Sequence, residues 1–417
     1  MPLAFTVKII IDLQNILELT LSNIQQNLKS NDLTNLAAGE VFKSIAKQFD
    51  PDIVVPFVLY LDNFQINNAL GSHTFSICGC YINFPLMPKH SISKVQYIYH
   101  VAFIATDKLK KCRNENSVYH LVEEFKILES GIIIRTKNGL QKVQFILSLI
   151  VGNNLAVNSI LGYVQSFNSK RYCGVCSRTK PEMKIDSSEN VESLRTEQSY
   201  YEDLQLNNFQ ESGLKQNWIF NELLSLKVIN NFCFDIMHDI FEGVCKYDIC
   251  HILISLINKG IITLNEINSR KSIFPYGETS VKIEMNRLKT CNLKTSASET
   301  ECLTHFLPLM IGDRVPHGNE EWELLLTLLD IIEFLLKSNY KKTEIETIRS
   351  AKTSSLRYLW CMRFEAKHKD SKFYFYNVNS RINPPHSLAI KCQIKFAKFL
   401  TDHAKSIEPY LRLTSKE

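Results

Sequence analysis

Three β-branched and aromatic runs lie close together near the start of the chain, and they constrain the fold more than any other feature. They are VVPFVLYLDNF from Val54, HTFSICGCYINFP from His73 and VQYIYHVAFIAT from Val95. Residues of this kind fit a pleated, half-buried surface, and the short links between the runs are rich in turn formers, so an antiparallel meander is expected. A helix should follow over NSVYHLVEEFKILES, because Val118, Leu121, Val122, Phe125 and Leu128 recur on one face. Gly131 is placed to end it. GIIIRTKN then reads as a strand, and QKVQFILSLIVG as a strand or a helix, since an unbroken apolar run carries no clear period. Three strands, a helix and further strands suit an α/β fold of RNase H-like type with a mixed sheet.

The rest of the chain divides by composition. Residues 1–50 read as a helical N-terminal segment that caps the body, and residues 51–177 as the core. The stretch SSENVESLRTEQSYYEDLQLNN is polar and mixed in charge, as expected of a surface excursion or linker. It opens a mainly helical insertion over residues 178–350, and residues 351–417 close the chain with helices. The N-terminus lacks the basic region and cleavage site of a secretory signal, and no run reaches the ~18 apolar residues of a membrane helix. Twelve scattered cysteines point to reduced thiols in the cytosol or nucleus, not to a disulfide scaffold. A net charge of +5 is compatible with nucleic acid without requiring it.

Several polar residues interrupt apolar stretches where chemistry could sit. Asp62 ends the apolar part of YLDN, either as a turn former or as a metal-binding carboxylate at a strand edge. Cys173 and Cys176 in RYCGVCSR form a CxxC, which is half of a zinc site, a redox pair or two buried cysteines. His238 and Cys245 lie seven apart and would share a helical face, for packing or as further zinc ligands. Asp235, Asp239 and Glu242 in the same stretch read first as charges at a helix N-terminus, and otherwise as a metal cluster, since 235 and 239 would share a helical face. Glu365 sits among Arg363, Lys367, His368 and Lys369, either in a surface ion-pair network or as a metal ligand beside a DNA track.

Taken in order, YLDNFQINNALGSH, LIVGNNLAVNSILGY, YCGVC, FDIMHDIFEGVCKYD, SASETECLTHFLPLMIGD and CMRFEAKHKDSKFYFYNVNSRIN resemble transposases of the CACTA (En/Spm-like) group, from about Val54 to Leu400. The resemblance implies an RNase H-like catalytic core with a large helical insertion. It also implies three acids holding two Mg²⁺ ions about 4 Å apart for in-line phosphoryl transfer. The first acid falls on Asp62 and the last on Glu365; the second falls on Asn153, where the family has Asp. Asn lacks the charge that holds two cations close together, so loss of catalysis is expected. The family's CxxC shares Zn²⁺ with two histidines shortly before the last acid, but KKTEIETIRSAKTSSLRYL has none, and the zinc site is expected to be half-built. His368 and His386 come after the acid and substitute poorly. No zinc-finger spacing precedes the core, so end-specific DNA recognition is expected to be missing.

The resemblance therefore implies a degenerate, transposase-derived nuclear protein whose partner is double-stranded DNA. Arg363, Lys367 and Lys369 are its candidate DNA contacts. No membrane partner is implied, and a homodimer is allowed. The alternative is a non-enzymatic DNA- or chromatin-binding protein on the same scaffold.

Overall fold

The structure is a computed structural model. It describes residues 40–49, 53–67, 74–87, 94–107, 115–136, 139–186, 190–227, 229–233, 235–275, 282–338, 356–376 and 383–395, with isolated positions between them. Most of the expected N-terminal helical segment lies outside the described residues, as does nearly all of the stretch 341–355.

The expected meander forms. Strands β1 (Val54–Asn67), β2 (Thr74–Asn83) and β3 (Tyr99–Ala105) pair antiparallel in sequence order. Helix α1 (Glu40–Ala46) precedes them and buries Phe42 and Ile45 in the same core. Helix α2 (Glu115–Ser130) carries the chain on, and Val118, Val122, Phe125 and Leu128 are buried as the spacing predicts. Gly131 follows with φ +92°, a conformation that side chains with a Cβ rarely adopt, so glycine suits the sharp exit from the helix.

β4 (Ile132–Thr136) and β5 (Gly139–Val151) form a hairpin. The unbroken apolar run is a strand: β5 lies parallel to β1 and completes a five-stranded mixed sheet in the order β3-β2-β1-β5-β4. Every residue from Val143 to Val151 is buried, which is why no alternation shows in the sequence. One irregularity interrupts the β1–β5 pairing. Phe57 faces Leu147 and Val58 faces Leu149, leaving Ser148 as an extra residue. The Ser148 hydroxyl donates to the Phe57 carbonyl at 2.8 Å, so the bulge leaves no buried acceptor open there.

Residues after the sheet pack in two ways. A short helix α3 (Asn154–Ile160) leaves the end of β5. The polar stretch 178–215, expected as a surface excursion or linker, is exposed over most of its length and is anchored to the main core at a few points: helix α4 (Glu197–Leu206) buries Tyr200, and Leu214 joins the same cluster, as do Trp218 and Phe220 just after it. Buried Arg195 adds hydrogen bonds to Asp203 and Ser212 that hold the excursion in place. Asn231 accepts from Ile150 N–H, and Phe232 bridges Ile150 in parallel, so this segment runs beside the last residues of β5.

From Met237 the chain becomes helical. Residues Met237–Val244 have π-type hydrogen bonding and pass into α5 (Cys245–Asn258). Helices α5, α6 (Leu264–Ile273), α7 (Ala297–Ile311) and α8 (Glu320–Leu335) enclose a second apolar cluster built on Leu253, Leu256, Leu307 and Leu325. Helix α9 (Met362–Tyr376) returns to the sheet, where Phe364 stacks on Tyr60 of β1 with ring centroids 4.5 Å apart. Among the described residues, no helix is long and apolar enough to cross a membrane.

Candidate active site at the end of the parallel strand pair

β1 and β5 part company at one end of the sheet. Their pairing stops at Tyr60 opposite Val151, and β1 continues to Asn67 against β2 alone. Asp62 is therefore inside the strand, not in a turn after it, and it lies just beyond the point where β5 ends. The carboxyl ends of parallel strands are where α/β sheets leave room for ligands. Gly152 and Asn153 begin the exit of β5, and a Cβ on Gly152 would lie 3.2 Å from the Leu61 carbonyl, so the two strands are in close approach here.

Asn153 has two jobs in this corner. Its Oδ1 accepts from Ala156 N–H at 2.8 Å and caps α3. Its Nδ2 donates to Asp62 Oδ1 at 2.9 Å. The cap fixes the amide orientation, because turning the group over would leave the helix N-terminus without its acceptor. The face that Asn153 shows to Asp62 is thus a hydrogen-bond donor. A cation shared by these two side chains needs acceptor oxygens from both, so the middle position does not fit a two-cation centre.

Glu365 arrives on α9, one residue beyond the Phe364 anchor. Its Oε1 lies 3.3 Å from His238 Nε2. The other ring nitrogen, Nδ1, makes a short contact with the Asp235 carboxylate. Asp235 is buried and also accepts from Cys361 N–H at 2.8 Å and Met237 N–H at 3.3 Å. His238 is thus held between two carboxylates. Burial opposes its charge, but hydrogen bonds to Asp235 and Glu365 outweigh that and raise its pKa to about 10. It is a cation at neutral pH.

Asp62 is under the opposite pressure. Burial raises its pKa to about 6; the Asn63 backbone amide works against this, and the nearby Glu365 charge adds to it. His368, one turn after Glu365, lies 3.9 Å from Asp62, yet burial lowers its pKa to about 3 and its ring stacks on Phe64. It supplies no compensating charge. Next door, Asn154 Nδ2 donates to Asp239 at 2.5 Å, and burial raises the Asp239 pKa.

Asp62, Asn153 and Glu365, distant in sequence, thus converge on one corner. Sequence reasoning offered Asp235 as a helix-terminal charge or part of a metal cluster, and His238 as a packing residue or a further zinc ligand, but placed neither beside Glu365. The available signal was a polar DIMHD sequence directly after an apolar run. His238 and Cys245 do not share a site: Cys245 is buried beside Thr304, and burial raises its thiol pKa to about 11.

Asp235, His238 and Cys361 bring one ligand atom each within 4.8 Å of one another, a buried group that could hold a metal ion. Burial, and after it the Asp235 carboxylate, pushes the Cys361 thiol well up, so ligation there would begin with loss of that proton.

The CxxC is a compact loop. The two thiols are neighbours, burial raises the Cys176 pKa, and Val175 N–H donates to Cys173 Sγ at 3.4 Å. Arg195 holds the loop by donating to the carbonyls of Cys173 and Cys176 at 3.2 and 3.3 Å, while its other nitrogens reach Asp203 and Ser212. Among the described residues, no group of three or more possible ligands includes Cys173 or Cys176.

Two of the three candidate DNA contacts are already engaged. Arg363 donates to the Ile92 carbonyl and Lys367 to the Val95 carbonyl at 3.2 Å, and burial lowers the Lys367 pKa. They tie α9 to the segment before β3. Lys369 is exposed. No family model matches this chain, and no curated protein shows a significant match.

Proposed function

We propose that this chain derives from a CACTA-type transposase, with an RNase H-like core, a helical insertion and an ancestral metal-dependent activity in DNA strand cleavage and transfer. We infer that this activity has been lost. The observation that carries the reading is the meeting of Asp62, Asn153 and Glu365 at the end of the parallel strand pair, with an amide donor facing the first carboxylate. An ancestral Asp at 153 would have kept the helix cap and placed a second carboxylate against Asp62, the arrangement that cations bridge. In its place are internal substitutes: Asn153 satisfies Asp62, and the His238 cation faces Glu365.

The second reading is a non-enzymatic role in DNA or chromatin binding, in the nucleus, as the present-day use of the scaffold; exposed Lys369 and the net charge of +5 are what support it. A nicking assay on supercoiled DNA with Mg²⁺ or Mn²⁺ tests the loss. The unaltered chain should leave the DNA intact, and robust cation-dependent nicking would overturn the reading.

A further inference from the structure

Far along the chain from these residues, in the second apolar cluster, a histidine and two cysteines meet. Cys250 and His251 are neighbours on α5, and Cys291 follows a short helix, Met285–Lys289, that packs beside it. Cys291 Sγ lies 3.6 Å from His251 Nε2. The same sulfur is within hydrogen-bonding reach of the Cys250 thiol, and burial, with Cys291 as the next cause, pushes the Cys250 pKa up to about 12. Cys291 is half-buried and Cys250 fully buried. The backbone at Cys291 has φ +48°, a region costly for a residue with a Cβ, so the chain holds this thiol in place against local preference. Asp248 lies one turn before His251; burial raises its pKa and the His251 charge lowers it, so a carboxylate stands by the imidazole.

An accessible thiol beside an imidazole, backed by a second thiol, has the parts of a thiol–disulfide exchange site. We propose that Cys291 and Cys250 form a reversible redox pair, with Cys291 as the attacking thiol, His251 as its base and a low-molecular-weight disulfide such as oxidised glutathione as the oxidant. In the first step the Cys291 proton passes to His251 Nε2, and the Cys291 sulfur attacks one sulfur of the oxidant. The oxidant's S–S bond breaks, a mixed disulfide forms on Cys291, and the departing glutathione thiolate takes the proton from His251. In the second step the Cys250 sulfur attacks the Cys291 sulfur, and the second glutathione leaves with the Cys250 proton. Two protein thiols are oxidised, and one glutathione disulfide is reduced to two glutathiones. The product joins α5 covalently to the turn at Cys291.

The test equilibrates the full chain with reduced and oxidised glutathione at set ratios, then alkylates it and maps the thiols by mass spectrometry. Cys250 and Cys291 should lose alkylation together and appear in one disulfide-linked peptide pair, reversed by a dithiol reductant. Cys250→Ser should accumulate a glutathione adduct on Cys291, and His251→Ala in that background should slow adduct formation several-fold with the fold intact by circular dichroism. Cys291→Ser should leave Cys250 reduced. The proposal is overturned if Cys250 and Cys291 stay fully alkylatable while other cysteines oxidise. It is equally overturned if the histidine substitution leaves the rate unchanged, or if Cys250 oxidises without Cys291.

Discussion

Replacing Asn153 with Asp probes the inferred history of the site most directly. The cap on α3 survives, because Asp accepts from Ala156 N–H as Asn does. The contact with Asp62, now a 2.9 Å hydrogen bond, becomes a meeting of two carboxylates. Losing a hydrogen bond to a charged acceptor costs about 1.5–3 kcal/mol. Repulsion between charges about 4 Å apart at an effective dielectric of 20 adds up to about 4 kcal/mol, limited by the option of sharing a proton. Asp62 already holds its proton to about pH 6, so the pair should retain one further into the neutral range. A net loss of roughly 2–4 kcal/mol near pH 7.5 in chelator is expected, seen as a melting temperature several degrees lower. A divalent cation that bridges the pair reverses this, by about 2.7 kcal/mol at a hundredfold excess over its dissociation constant. Scanning fluorimetry of both proteins in EDTA and in Mn²⁺ reads the effect. The reasoning is refuted if the variant melts as the parent does in chelator, or if Mn²⁺ stabilises both equally.

Further outcomes follow from the same corner and its surroundings. Asp62→Asn should stabilise the protein at pH 8 and change little near pH 4, because the raised pKa means that the wild-type residue's contribution is best below its unfolded value and is lost as pH rises through about 6. The shift of about 2 units corresponds to roughly 3 kcal/mol, read from melting temperatures across that range in EDTA. His238 contributes fully below its ordinary pKa of 6.5 and loses that contribution as pH rises through about 10, so the stability gap between wild type and His238→Ala should be wide at pH 6 and narrow above pH 10. Arg195→Lys should cost about 3 kcal/mol or more, since an ammonium cannot reproduce the planar fork that reaches Asp203 and three carbonyls, while chelators leave the melting temperature of the wild type unchanged. If the scaffold binds duplex DNA, affinity should fall steeply with salt, and Lys369→Gln should lower the salt slope by about one where that lysine meets a phosphate.

Helix α2 was legible because its burial is one-sided and leaves a period in the sequence. β1 and β2 were legible by residue type instead, since residues 55–61 and 77–83 are buried on both faces and only their β-branched and aromatic content and the turn formers between them mark them as strands. β5 is likewise buried throughout residues 143–151, and with Leu, Gln and Lys mixed into the run it offered neither a period nor a clear composition. Asp62 and Glu365 could be placed by resemblance, but their neighbours could not. Asp235 and His238 enter the site only because Asn231 and Phe232 dock along the end of β5, a long-range pairing with no local signature. The polar composition of 178–215 suits its largely exposed course, but its anchor was hidden, since Arg195 is one buried guanidinium whose partners Cys173, Cys176, Asp203 and Ser212 are set by the fold.

The bulge at Ser148 has a consequence for how this corner tolerates change. Side chains on a strand alternate between the two surfaces, so an extra residue would turn over every later position unless the strand absorbed it locally. The bulge does absorb it: past Ser148 the pairing resumes with Leu149 opposite Val58 and runs on to Val151 opposite Tyr60. Losing Ser148 would therefore leave the end of β5 facing the same partners, and the meeting of Asp62 with position 153 is sensitive to the identity of that side chain rather than to the length of the strand that delivers it.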